Sequence, residues 1–424
     1  MPIMPSVPSI PSAPATPGGI PGASSQPGAG VSGLTYRGFY DKYREFENAE
    51  ATIELNGKVF GQKQKEAFVA DISVDLSCGF EASIARFRIY NAYDRMNMNY
   101  TFESVKNQAI LGVSVKILLG WSGALEPVFT GFVASVDFAF DPDEPPYIEI
   151  TGMDAKGVMM ASAYAAQLTA RSYGAAVREI LQRVAYEKMK VAEIIGGLYV
   201  SDTPDSKPAR AGASAETIEM VSESDYEFIV KAAKKFNYEF FVDRGAVVFR
   251  KARSIATPLA TLSAQDGMIS WHVNYSLTGM VEKIEVRSMN PGTGKIISAK
   301  GTYKETLSTA GKAKALVRGS RRVYIDPTVF SQEQATARLD SLMTQMSYRL
   351  GSLECECIGI PDLVPGRFVQ VNVGSPGDNA FYITNVVHNF PSTGEYHTKL
   401  VGEASSVKAG GLAAAGALPG GIGI

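Results

Sequence analysis

The chain has 424 residues, 45% of them hydrophobic and 20% charged, with 41 Lys and Arg against 43 Asp and Glu. That length exceeds one ordinary core and predicts two to four domains. The near-neutral balance excludes binding driven by a basic surface excess, so neither specific nucleic-acid binding nor a membrane-surface role is expected.

Three cysteines, Cys78, Cys355 and Cys357, are an odd number and no disulfide framework, which points to synthesis in a reducing cytoplasm. No apolar run approaches the ~18 residues of a spanning helix. The N-terminus lacks a basic stretch ahead of an apolar core, so no secretory signal and no membrane insertion are expected.

Met1 to Tyr36 carries no charged side chain, and Pro2, Pro5, Pro8, Pro11, Pro14 and Pro17 recur at every third position. Three residues per turn is the period of polyproline II, which stacks such rings along one edge. At ~3.1 Å per residue, Pro2 to Pro17 spans roughly 45 Å. Gly18, Gly19, Gly22, Gly28, Gly30 and Gly33 follow. Two readings of residues 1–35 stay open: a disordered tail, or an extended arm that orders on a partner or neighbouring subunit.

From Thr52 to Gly152 apolar and polar residues alternate. Ile72, Val74 and Leu76 interleave with Asp71, Ser73 and Asp75; Ala85, Phe87 and Ile89 with Arg86 and Arg88; Val113, Val115, Ile117 and Leu119 with Ser114 and Lys116. Phe132, Ala134, Val136, Phe138 and Phe140 form another one-faced run, and Ile148 and Ile150 flank Glu149. Period two means strands with one face buried, here an antiparallel barrel or sandwich.

Helical spacing then takes over. Ser172 is placed to cap a helix with Val177, Ile180, Leu181 and Val184 on one face, and Glu179 and Arg183 are spaced for an i,i+4 pair. After a Pro/Ser/Gly/Ala loop from Ser201 to Ala215 comes a short strand near Ile218. A second helix opens near Ser222 and Ser224, presents Tyr226, Ile229, Val230 and Ala233, and ends by Asn237. A hairpin follows, Glu239 to Val242 and Val247 to Phe249 around Asp243-Arg244-Gly245.

Strand signals resume near Met280, with Ile284 and Val286 facing one way and Lys283, Glu285 and Arg287 the other. A longer helix starts at Ser331 with Gln334 as a capping-box partner. Its stripe is Leu339, Leu342, Met343, Met346 and Leu350, and Gly351 is expected to close it. Three strands finish the fold, Arg367–Val373, Phe381–Asn389 and Glu395–Val401. The predicted class is α+β, mostly β, with β segments on both sides of a helical middle.

Candidates for chemistry are few. His272, His388 and His397 are the only histidines. A symmetric hairpin about Pro391-Ser392-Thr393-Gly394 places His388 opposite His397, but a metal needs three or four ligands and no further one has matching spacing. Cys355-x-Cys357 points both thiols to one face and reads as packing. Asp141, Asp143 and Glu144 sit in a Pro-rich turn, and Gly292-Thr293-Gly294-Lys295 lacks the rest of a phosphate loop. Lys312, Lys314, Arg318, Arg321 and Arg322 read as solvated loop charge rather than a phosphate contact. No catalytic, cofactor-binding or metal-ligating residue is therefore assigned, and the chain is expected not to be an enzyme.

Four ordered segments carry a resemblance. They are Ser222-Glu223-Ser224-Asp225-Tyr226-Glu227-Phe228-Ile229 with Lys235 to Phe241 and Ala246 to Phe249; Pro365-Gly366-Arg367-Phe368-Val369-Gln370-Val371; Phe381 to Phe390 with Gly394 to Leu400; and Phe129-Thr130-Gly131-Phe132-Val133. Over roughly residues 36 to 404 the chain resembles the late control protein D family, baseplate hubs of contractile phage tails, tailocins and injection systems. The N-terminal part of type VI valine–glycine repeat spike proteins is related.

That resemblance implies two tail-tube-like antiparallel β-barrel domains with an intervening α+β module and an extra helix. The implied boundaries are an arm at 1–35, a first barrel at 36–157, an insert at 158–260, a second barrel at 261–404 including helix 331–350, and a flexible Gly/Ala-rich tail at 405–424. It implies a homotrimeric hub whose pseudo-six-fold ring joins a hexameric tail tube to a trimeric spike, with tape-measure and baseplate wedge proteins as further neighbours and no cofactor. The expected location is a virion baseplate or extracellular injection particle assembled in a bacterial cytoplasm. The chain lacks an oligonucleotide-binding-type barrel and β-helix repeats, so the spike and any cell-wall hydrolase are expected to be separate proteins. A receptor- or glycan-binding β protein is the alternative, ahead of a tail-associated cell-wall hydrolase.

Overall fold

The structure is a computed structural model that describes residues 32–61, 68–94, 96–100, 111–141, 143–161, 163–206, 218–290, 292–303, 315–374 and 377–407. The proline-spaced segment, most of the loop from Ser201 to Ala215, Lys312, Lys314 and residues 408–424 of the Gly/Ala tail lie outside the described residues.

In chain order the first part holds α1 (Tyr36–Lys42), β1 (Ala49–Leu55), β2 (Lys58–Gly61), β3 (Phe68–Ser77), β4 (Ile84–Tyr90), β5 (Tyr93–Asp94), β6 (Asn99–Tyr100), β7 (Ser114–Trp121), β8 (Ala124–Asp141) and β9 (Glu144–Met153). The middle holds α2 (Lys156–Met159), β10 (Tyr164–Gln167), α3 (Tyr173–Leu181), α4 (Val184–Val191), β11 (Gly197–Val200), β12 (Glu219–Glu223), α5 (Asp225–Phe236), β13 (Tyr238–Asp243) and β14 (Ala246–Lys251). The last part holds β15 (Pro258–Ser263), β16 (Met268–Tyr275), β17 (Lys283–Met289), β18 (Ile296–Thr302), β19 (Arg321–Ile325), α6 (Gln332–Ser347), β20 (Gly351–Ile358), β21 (Phe368–Asn372), β22 (Asn379–Phe390) and β23 (His397–Ala404). The fold is α+β and mostly β, as its alternation predicts.

One large sheet joins the two β-rich parts. Its order is β16-β20-β23-β22-β3-β4-β9-β8-β7-β1-β2, with β21 also on β22 and β15 on β21. Most pairs are antiparallel; β15 with β21 is parallel. Alternation set the faces correctly: Ile72, Val74, Leu76, Ala85, Phe87, Ile89, Ile148 and Ile150 are all buried. They share one core with Leu353, Val369, Ile383 and Leu400 from the far end of the chain.

The middle elements make a separate core around Val177, Ile180, Phe228, Ile229, Phe240 and Phe249. Ser172 and Ser224 cap α3 and α5 as expected, and Ser224 with Glu227 completes a capping box. Asn237 ends α5 in the left-handed region, where asparagine is tolerated. Arg244 and Gly245 both take positive φ between β13 and β14, which suits a tight hairpin of the sheet's own twist.

The third core packs α6 on the three-stranded sheet β18-β17-β19 through Ile284, Val286, Leu339, Leu342 and Met346. Ser331 caps α6, but Gln334 Oε1 accepts from Phe330 N rather than from the cap residue.

Several expectations need correction. Val184 is exposed, because α3 stops at Leu181 and Val184 opens α4. Arg183 leaves Glu179 and pairs with Asp225 at 2.5 Å, while Glu179 accepts from Thr169 and Ala170. Gly351 does not close α6, which ends at Ser347; it starts β20, where a Cβ would meet Ala404 at 3.1 Å. Phe138 and Phe140 are more than half exposed, because pairing of β8 with β7 ends at Phe132 and the rest of β8 reaches past the core with β9. Glu285 points away from Ile284 as expected yet is buried, covered by Arg287 and Arg321. Phe129 to Val133, one of the segments that carry the resemblance, lies within β8.

Candidate assembly surface

The residues singled out for chemistry scatter. His388 is fully buried on β22 and pairs in register with Thr398, not with His397, which pairs with Asn389. The hairpin is offset by one residue from the symmetric form, so the two rings project to opposite faces. His388 Nδ1 lies 2.9 Å from Tyr396 Oη and 3.1 Å from Thr398 Oγ1. Burial, with the Arg244 charge adding to it, pushes its imidazole down to about 3. His397 lies 3.5 Å from Glu356, and His272 is exposed on β16.

Cys355 and Cys357 both face the large core, and burial pushes their thiols up, Cys355 to about 12. Asp141 and Glu144 form the end of the β8–β9 hairpin. Gly292 to Lys295 is a turn in which Asn290 Oδ1 accepts from Gly292 N and Thr293 N. Among the described residues no three His, Cys, Asp or Glu gather as metal ligands. No helix of the described residues is long and apolar enough to cross a membrane.

What the structure concentrates is the machinery that locks its parts together. At the centre, β22 of the last part pairs with β3 of the first, from Asn385 opposite Ser77 to Phe390 opposite Ile72. Asn385 Nδ2 donates to Asp75 at 2.6 Å and Ser73 Oγ meets Asn389 Oδ1 at 3.1 Å along the seam. Around it, Trp121 Nε1 donates to Gly359 O at 2.8 Å and its ring packs edge-on to Phe46. Asp362 accepts from Lys42 at 2.9 Å and from Tyr43 at 2.8 Å, which ties α1 and its following turn to the last part.

The middle α and β elements are clasped from both sides. Toward the last part, Glu239 and Arg250 face each other across β13 and β14, and Arg250 Nη2 donates to Gly366 O at 2.7 Å. Tyr382 Oη donates to the other Glu239 oxygen. Gly366 has φ +80, and a Cβ there would sit 2.9 Å from both Arg250 and Phe241, so only glycine fits the approach. Next to it, Arg367 Nη2 donates to Ser32 Oγ at 2.9 Å.

The Pro365-Gly366-Arg367 segment is thus a docking loop, a role its composition did not announce. Toward the first part, Tyr226 Oη donates to Phe80 O at 2.7 Å, and at the boundary buried Lys156 lies 3.8 Å from Asp154 and donates to Glu81 O, while Asp154 accepts from Ser83 N. Burial pushes the Asp154 carboxyl up and the Lys156 ammonium down.

Facing outward, β16 ends the sheet path and exposes Ile269 and Trp271. Polar clasps hold the interior geometry, and an exposed terminal strand offers a surface on which a sheet can be extended.

No protein-family model matches the chain, and no curated protein matches it. Solved structures do. A tail protein from Neisseria meningitidis is similar with TM-score 0.59 at 12% identity, over 84% of this chain and 97% of that one. The 43 kDa tail protein of prophage MuSo2 from Shewanella oneidensis is similar with TM-score 0.59 at 16% identity, over 84% and 98%. An Escherichia coli protein that is a component of the type VI secretion system, itself similar to bacteriophage T4 tail proteins, is similar with TM-score 0.51 at 10% identity, over 82% and 76%. The chain has the fold shared by these tail proteins and this type VI secretion component.

Proposed function

We propose that the chain is a structural baseplate hub of a contractile tail, a homotrimer whose pseudo-six-fold ring joins a tail tube to a separate spike protein. In this reading residues 36–157 and 261–404 are tube-like barrel units and residues 158–260 an insert beside them. The particle is a virion tail or an extracellular injection device, built in a bacterial cytoplasm, and its work is symmetry matching with no bond broken.

The observation that supports the reading most is the β22–β3 seam. It fuses two β-rich parts edge to edge inside one chain, and repetition of such seams around an axis makes a closed ring of paired strands. The shared fold with phage tail proteins supports the same reading. Light scattering of the purified protein, alone and with its spike, tests it. Three chains of 45.4 kDa, about 136 kDa, are expected in at least one condition. A monomer in both overturns the proposal.

A further inference from the structure

Between α5 and α6 lies a groove of about 580 Å³ whose floor is aromatic, with Phe80, Tyr173, Tyr226 and Phe236 each half-buried. Arg338 Nη1 donates to Lys234 O at 2.9 Å and fixes the two helices against each other. Tyr173 stacks on Phe228 and meets Phe236 edge-on, which fixes its ring in place. The lining is mixed in charge, with Lys231, Lys234 and Arg338 beside Glu227 and Asp326; Asp326 takes Arg338, Lys231 pairs with Glu223, and Lys234 Nζ sits 5.1 Å over the Phe80 ring. The groove therefore combines flat apolar rings with flexible N–H donors.

The chain itself contains a matching ligand. Residues 2–17 carry proline at every third position and no charge. A polyproline II stretch presents a ridge of rings, and because that helix makes no internal hydrogen bonds its carbonyls stay open to outside donors. Aromatic grooves bind polyproline II segments by stacking those rings and donating to those carbonyls.

The root of this arm is fixed. Gly33 N and Leu34 N donate to Pro258 O and Leu259 O at 2.9 and 3.1 Å, and Ser32 is held by Arg367. Arg367 adjoins Gly366, which bonds Arg250 of the same insert that carries α5. Residues 1–31 at ~3.1 Å per residue reach roughly 95 Å, more than a small domain is wide.

We infer that the proline-spaced segment docks in the groove between α5 and α6 of its own chain, as a polyproline II ligand held by Tyr173, Tyr226 and Phe236. Tethering raises its local concentration, so modest contacts suffice for occupancy. This inference does not rest on the trimer.

The test uses a fluorescent peptide of residues 1–18 and two forms of the protein, the full chain and a chain lacking residues 1–31. Anisotropy should show the peptide binding the shortened chain, and binding the full chain at least about tenfold more weakly because the tethered arm competes. A peptide with Pro5→Ala, Pro8→Ala and Pro11→Ala should lose at least about tenfold in affinity. Lys234→Glu, at an exposed rim position, should weaken binding of the unaltered peptide.

No binding to the shortened chain overturns the proposal. So does equal affinity of the alanine peptide, or binding indifferent to Lys234→Glu. Equal binding to the full chain, or competition that appears only as protein concentration rises, overturns docking within one chain and assigns the arm elsewhere.

Discussion

Glu239 and Arg250 lie opposite each other on a hairpin, Oε1 to Nε 2.6 Å, both almost wholly removed from water. Neither contributes to an apolar core of its own. They fix how β13 and β14 meet the last β-rich part, because Arg250 also bonds Gly366 and Glu239 also accepts from Tyr382.

Removing one member strands the other. Arg250→Ala is expected to cost about 3–5 kcal/mol, since the Glu239 carboxylate stays buried without its cation. Arg178→Ala breaks the more exposed pair with Asp202 and should cost about 1 kcal/mol or less. Urea unfolding of both variants checks the contrast, and similar losses would remove the clasp from the account.

Gly366→Ala tests the docking loop. A positive φ and contacts at 2.9 Å to Arg250 and Phe241 predict a loss of about 2–4 kcal/mol. Gly57, with φ +74 and nothing within 4 Å of a Cβ, carries the backbone strain alone, so Gly57→Ala should cost about 1 kcal/mol. Thermal melts of the pair separate crowding from strain.

His388 makes stability depend on pH. Its folded value is about 3 against an ordinary 6.5, so the unfolded chain takes up a proton first as pH falls. The group's contribution is complete above pH 6.5 and is lost toward pH 3 at about 1.4 kcal/mol per pH unit. In His388→Gln that slope should vanish from denaturant midpoints measured between pH 6 and 4; an unchanged slope would assign it to other groups.

Cys78, Cys355 and Cys357 are buried, with thiols pushed above their ordinary values by desolvation. The folded protein should leave all three unmodified by an aromatic disulfide reagent over minutes, and the unfolded chain should react at each. Rapid labelling in native buffer would show that these cores open.

Much of the local structure was legible because it depends on neighbours in the chain. Alternation at Ile72, Val74 and Leu76 and at Ala85, Phe87 and Ile89 dictates which side chains share a face. Ser172, Ser224 and Ser331 announced helix starts through the hydrogen bonds a hydroxyl offers to orphan N–H groups. The motifs that carried the resemblance, Ser224 to Ile229 and Pro365 to Val371, proved to be a cap and a docking loop. The groove between α5 and α6 gave no such signal, since its walls lie some hundred positions apart in the chain.

Other features passed beyond what periodicity encodes. Phe132 to Phe140 alternates like a core strand, yet Phe138 and Phe140 are more than half exposed, because alternation names a face and not what covers it. A one-residue offset in the last hairpin moved His388 opposite Thr398. By itself the sequence determined the faces of strands such as β3 and β4, the serine caps of α3, α5 and α6, the absence of charge and the proline period in the arm, all properties of residues a few positions apart. Only the tertiary structure decided that β22 pairs with β3, that Arg250 meets Gly366 and that four hydrophobic cores form among the described residues. Those pairings join residues more than a hundred positions apart, whose meeting depends on the packing of the whole chain rather than on any local preference.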